Sequence, residues 1–140
     1  MKLLFLPLLY LLPLFAYSEE YEFHGIHFLA SYGECEMEAL TDIKELRNTL
    51  LLAAEKSGAT ILKFQDVVFF SNGFTMAILL QESHASIHTY PEHKACFIDL
   101  FTCGNHCSSE AFAEVLEKYL KPKKICKKTL IRNELIEEQL

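Results

Sequence analysis

The stretch Ala59-Thr60-Ile61-Leu62-Lys63-Phe64-Gln65-Asp66-Val67-Val68-Phe69-Phe70-Ser71-Asn72-Gly73-Phe74-Thr75-Met76-Ala77-Ile78-Leu79-Leu80-Gln81-Glu82 decides the fold. Two apolar runs, 59–70 and 74–82, flank an Asn-Gly pair that takes positive φ readily and so closes a turn between antiparallel strands. A hairpin is expected here. Further along, 84–90 and 94–102 are again extended runs, separated by Pro91-Glu92-His93, where proline cannot donate to a ladder and favours a turn. These make a second hairpin. Upstream, Tyr21–Tyr32 carries aromatic and β-branched residues at strand spacing, with Gly25 marking a bulge or close approach and Gly33 ending the run. Residues 123–131 read as a last strand.

Two helical patterns interrupt the strands. Thr41 can cap a helix whose apolar positions Ile43, Leu46, Leu50 and Ala53/Ala54 follow the 3.6 period, with Gly58 at the C-terminal cap. Ser108 or Ser109 opens a second, with Phe112, Val115, Leu116, Tyr119 and Leu120 on one face and Lys121-Pro122 ending it. Strands interleaved with two helices predict an α+β two-layer sandwich, an antiparallel sheet with two helices on one face. Cys96, Phe97, Ile98 and Leu100 leave neither side of their strand polar. The second sheet face therefore needs a cover, and a dimer partner, a second copy of the chain in a homodimer, is the simplest candidate.

The chain has 140 residues, 51% hydrophobic and 23% charged, a formal charge of −6 and a pI near 5.5. One domain is expected, and the acidic balance argues against a nucleic-acid partner. Residues 1–18, with Lys2, an apolar stretch and a small-x-small ending before Glu19, read as a signal-peptide-like leader ahead of a single domain over 19–140. The five cysteines, Cys35, Cys96, Cys103, Cys107 and Cys126, do not form a disulfide framework and suit a reducing compartment, whereas the leader suits export. Localisation thus stays open between the two signals. Cys103-x-x-His106-Cys107 matches no standard zinc spacing, so no metal is expected. Ser83 lacks the Gly-x-Ser-x-Gly turn of a hydrolase nucleophile.

Reactive side chains are densest in Glu82-Ser83-His84-Ala85-Ser86-Ile87-His88-Thr89-Tyr90-Pro91-Glu92, followed by Asp99-Leu100-Phe101-Thr102-Cys103-Gly104. On strand geometry His84, Ser86 and His88 share one face, with Ser83, Ala85 and Ile87 on the other. Glu-Ser-His-x-x-Ile-His-Thr-x-Pro-Glu followed by Asp-x-Phe-Thr-Cys-Gly resembles the short bacterial and archaeal type of S-adenosylmethionine decarboxylase, a pyruvoyl-dependent family of spermidine synthesis. Gly25-x-His27, Tyr32-Gly33-x-Cys35, Gly58-Ala59-Thr60 and Lys121-Pro122-Lys123 extend the resemblance over about residues 25–131.

The resemblance implies a cofactor made from the chain itself. The Ser83 hydroxyl attacks the carbonyl of Glu82, the peptide bond becomes an ester, and β-elimination leaves a β chain ending at Glu82 and an α chain, 83–140, headed by a pyruvoyl group. By resemblance His88 is the processing base, with Thr75 standing where the family has a supporting serine. The ketone then condenses with the amine of S-adenosylmethionine and draws off electrons as carbon dioxide leaves, the work pyridoxal phosphate does elsewhere. Cys103 resembles the family's proton donor to the α-carbon, Glu92 the glutamate that holds the ribose hydroxyls, and Phe69 an aromatic face for adenine. The family's protomers associate back to back. Departures cluster in 67–76, where the usual His-x-Phe-x-Pro-x-Gly-x-Ser-Gly keeps only the Phe, the Gly and a Ser-to-Thr replacement, and at Tyr90, where Trp is usual. They leave two alternatives: a pyruvoyl decarboxylase of arginine or ornithine, and an uncleaved, non-catalytic homologue.

Overall fold

The computed structural model describes residues 23–133; the leader-like 1–18 lies outside them. In chain order the elements are β1 (Gly25–Gly33), α1 (Met37–Thr41), α2 (Ile43–Lys56), β2 (Ile61–Val68), β3 (Phe74–Leu80), β4 (Ser83–Tyr90), a short 3-10 turn (Pro91–His93), β5 (Ala95–Cys103), α3 (Ser109–Leu120) and β6 (Lys124–Arg132). The strands form one antiparallel sheet in the order β2-β3-β4-β5-β1-β6. The architecture is the α+β sandwich that the sequence predicts.

The helices cover one face because each presents one apolar stripe to it. Leu46, Leu50, Ala53 and Ala54 of α2 and Phe112, Ala113, Leu116 and Leu120 of α3 are buried. They meet Phe28, Ala30 and Tyr32 of β1, Phe74, Met76 and Ile78 of β3, Ala85 and Ile87 of β4, and Cys96, Ile98 and Leu100 of β5. Each fully buried leucine contributes about 1.5–3 kcal/mol over its exposed state, so this layer holds the sheet in shape. Ser108 caps α3 as expected, its Oγ accepting the Ala111 N–H at 3.1 Å. Gly58, at φ +93, takes the chain out of α2 in a conformation that a side chain would strain.

Thr41 does not cap α2. Asp42 does, its carboxylate accepting the Glu45 N–H at 3.1 Å, while Thr41 closes the extra helix α1 and donates to the Met37 carbonyl. Five residues are too few to show a helical period, which is why α1 is not visible in the pattern. The hairpin turn is also wider than Asn-Gly alone. The Phe69 N–H bonds the Gly73 carbonyl at 2.8 Å, so Phe69 and Phe70 leave the strand, and Asn72 takes φ +61. The sheet face away from the helices carries Leu79 and Phe97, both about half exposed, among His84, Ser86, His88 and Tyr90.

Candidate active site

At its first residue β4 departs from regular geometry. Ser83 has φ +155, a value that residues with side chains avoid at a cost of about 1–3 kcal/mol. Strict alternation would turn Ser83 toward the helices with Ala85 and Ile87. Instead it is partly exposed, and its Oγ lies 3.2 Å from His84 Nδ1. The preceding carbonyl, that of Glu82, accepts the backbone N–H of Cys103 at 2.8 Å. A carbonyl, the hydroxyl of the next residue on a strained backbone and an N–H donor aimed at the carbonyl oxygen are the parts an acyl shift needs: electrophile, nucleophile and stabiliser of negative charge on oxygen.

Neighbouring elements fix this end of the sheet. Ser83 pairs with Thr102 across β4 and β5, which sets Cys103 beside the Glu82–Ser83 bond. Gly104, at φ +76, turns the chain away, and its N–H bonds the His24 carbonyl at 3.1 Å. Gly25 is needed for close approach: a Cβ there would lie 2.6 Å from the Phe101 ring. That ring stands among His27, His84 and Arg132, whose guanidinium carbon lies 4.3 Å from the ring centre. The Glu82 side chain is buried, with Oε2 accepting the Thr60 N–H at 2.9 Å and Oε1 3.5 Å from His106 Nε2. Burial pushes this carboxyl up, but the Thr60 and His106 hydrogen bonds outweigh it and hold the group below its ordinary value.

A second cluster sits at the other end of β4. The His88 ring bonds the Thr75 hydroxyl through Nδ1. Tyr90 lies 4.7 Å from His88 and 5.5 Å from Phe97 between ring centres, and Phe69 stands 5.9 Å from His88. Glu92 is exposed in the 3-10 turn that follows. Between the clusters, Ser86 donates to Asp99 at 3.2 Å, and His27 Nε2 lies 3.6 Å from the same carboxylate.

The expected site residues therefore fall into two groups. Glu82, Ser83 and Cys103 are together; Phe69, Thr75 and His88 are together at the other end of β4, with Glu92 exposed in the turn that follows that strand. Five steps along the strand take Ser83 to His88, about 16 Å at 3.3 Å per residue, so within one chain the two do not meet. Three contributors carry no signal in the pattern. These are the Cys103 N–H, which is backbone; Arg132, which lies past the end of the expected last strand; and His84 as the partner of Ser83.

The S-adenosylmethionine decarboxylase family model matches residues 26–133. An S-adenosylmethionine decarboxylase proenzyme of Brevibacillus brevis is 37% identical over 113 residues, covering 81% of this chain and 85% of its own. One of Methanococcus maripaludis is 38% identical over 100 residues, covering 71% and 82%. The crystal structure of the adenosylmethionine decarboxylase from Aquifex aeolicus superposes with a TM-score of 0.73 at 28% identity, over 85% of this chain and 98% of that one. With a family match over residues 26–133 and a sheet of the same shape, the chain belongs to the S-adenosylmethionine decarboxylase family.

Proposed function

We propose that this chain is a proenzyme that cuts itself between Glu82 and Ser83 and then decarboxylates S-adenosylmethionine. The observation that carries the proposal is the Cys103 N–H on the Glu82 carbonyl beside a strained Ser83. Attack of Ser83 Oγ on the Glu82 carbon puts negative charge on the oxygen that this N–H already holds. Collapse breaks the C–N bond and leaves an ester between the Glu82 carboxyl and the Ser83 side chain, with the amine free. A base then takes the Ser83 α-proton, the Cβ–O bond breaks to release the Glu82 carboxylate, and hydrolysis of the resulting enamine, through its imine tautomer, sheds ammonia. Residues Glu82, Ser83 and Cys103 fit the pyruvoyl group that results, since its precursor hydroxyl is at the surface and its amide stays on the β4 ladder. That group supplies a ketone to hold the substrate amine and to take up the electron pair as carbon dioxide departs. Cys103 holds a proton for the substrate α-carbon, Phe69 offers a face to adenine, and Glu92 accepts the ribose hydroxyls.

The base comes from a second copy. Both clusters border the sheet face that the helices leave uncovered, where Leu79 and Phe97 are half exposed. A two-fold axis running across the strands between two stacked sheets lays the His88 end of one protomer over the Ser83 end of its partner. The homodimer then carries two composite sites, each with Ser83 and Cys103 from one protomer and Thr75, His88, Phe69 and Glu92 from the other. A second reading rests on the 3.2 Å contact of Ser83 with His84, which makes His84 the base within the same chain.

Intact mass under denaturing, reducing conditions tests the proposal. Wild type is expected as two pieces meeting at 82/83, the C-terminal one lighter by ammonia, and Ser83→Ala as one piece. A single uncut wild-type species would overturn it. Release of carbon dioxide from S-adenosylmethionine, and not from arginine or ornithine, is the matching substrate result.

A further inference from the structure

Glu82 has a second set of neighbours that processing does not use. Its side chain enters from the turn between β3 and β4, while His106 and Cys107 come from the loop that leads into α3. One donor atom from each lies within 4.8 Å of the other two. Glu82 and Cys107 are buried and His106 is exposed, so the trio reaches solvent on its imidazole side. Glu82 Oε2 is taken by the Thr60 N–H, but Oε1 meets only the far end of His106 at 3.5 Å, long for a hydrogen bond.

Carboxylate, imidazole and thiolate are the three ligand types that zinc accepts, and a site with three protein ligands leaves its fourth tetrahedral position to water. Bonds of about 2.0–2.3 Å place such ligands roughly 3.5 Å apart. Glu82 and His106 already stand at that separation, so the closing of at most about 1 Å falls on the pairs with Cys107, a shift of one thiol rotamer with the exposed His106 following. Magnesium and calcium do not suit the set, because they ask for six or more oxygens and this site offers sulfur and nitrogen. The geometry points to a binding site for a borderline-soft divalent cation of the zinc type, held by Glu82, His106 and Cys107. Binding exchanges the Cys107 proton, released to solvent, for a sulfur–metal bond.

The place of the site gives it a role, which rests on the processing reading. After the cut Glu82 is the last residue of the β chain, whereas His106 and Cys107 belong to the α chain. The ion ties the two chains together across the break and holds residues 104–107, the loop that follows Cys103.

Full-length wild type and uncut Ser83→Ala, each stripped with a chelator, are titrated with Co2+ and then Zn2+. One Co2+ per chain is expected in both, with a thiolate-to-cobalt absorption band that Zn2+ displaces and one proton released per ion. Cys107→Ser is expected to abolish the band, Cys126→Ser to leave it, and His106→Ala, at an exposed position, to weaken binding about tenfold or more. A missing thiolate band in wild type and Ser83→Ala alike overturns the site, as does a band that Cys126→Ser removes. Mass reports the cut separately: cobalt bound by an uncut wild type supports the site and overturns the processing reading alone.

Discussion

Co-expressing Ser83→Ala with His88→Ala tests whether the proposed site is shared between protomers. On the proposed roles, Ser83→Ala keeps His88 but lacks the nucleophile, and His88→Ala keeps the nucleophile but lacks the base. Within a chain, five steps along β4 hold Ser83 and His88 about 16 Å apart, against the roughly 3 Å that proton transfer requires. If the base comes from the partner, a mixed dimer has one dead site, built from both substitutions, and one intact site. Random pairing of equal amounts places about half of the His88→Ala chains in mixed dimers, so about half of those chains are cut while either variant alone stays whole. Tagging the two variants differently and reading the masses of the tagged pieces gives that fraction directly. If both variants fold and pair and no His88→Ala chain is cut in the mixture, the composite site is refuted. Full cleavage of His88→Ala on its own refutes it too, and makes His84 the base within the chain.

Three other outcomes follow from particular contacts. Thr75→Val removes the hydroxyl bonded to the His88 ring and is expected to slow cleavage roughly tenfold, the worth of one such bond, while Thr75→Ser keeps the rate; a time course of the cut measures both. Cys103→Ala leaves the backbone N–H on the Glu82 carbonyl, so it is expected to cleave normally yet lose about 10²–10⁴ in decarboxylation, read as single-turnover carbon dioxide release on protein already cut. Tyr32 donates to Glu117 at 3.0 Å, and burial, then this bond, push its phenol well above the ordinary value of 10.0. Its contribution is fully present below pH 10 and is lost as pH rises toward the folded-state value, because the unfolded chain gives up the proton first. Tyr32→Phe is expected to cost about 1 kcal/mol at pH 8 and to flatten the fall in stability above pH 10, measured by urea denaturation.

Much of the sheet is legible from local chemistry. The Asn72-Gly73 pair and Pro91 announce the two hairpins, and the apolar stripes of α2 and α3 announce the layer that covers them. What fails is where the physics is not periodic. Asp42 takes the cap from Thr41 because the five-residue α1 uses up the threonine. Family motifs name Ser83, His88 and Cys103, but a motif carries no distance. Only the strand geometry shows that Ser83 and His88 stand at opposite ends of a common ladder. Glu82 is 24 residues from His106, so no local spacing could join it to the His106-Cys107 pair.

The strand order also governs what a cut chain can do afterwards. A break after Glu82 leaves β1, β2 and β3 on one piece and β4, β5 and β6 on the other. Yet the sheet runs β2-β3-β4-β5-β1-β6, so β1 lies between two strands of the other piece, and β3 is laced to β4. Three ladders join what one covalent bond used to join, and the pieces are woven together rather than merely docked. The proposed cut would then act as a ratchet. The folded protein holds its shape without the bond, but once unfolded its halves drift apart, and reassembly becomes a meeting of two molecules whose yield depends on concentration. On the proposed processing, the protein has one opportunity to fold as a single chain, and it spends that opportunity before it acts.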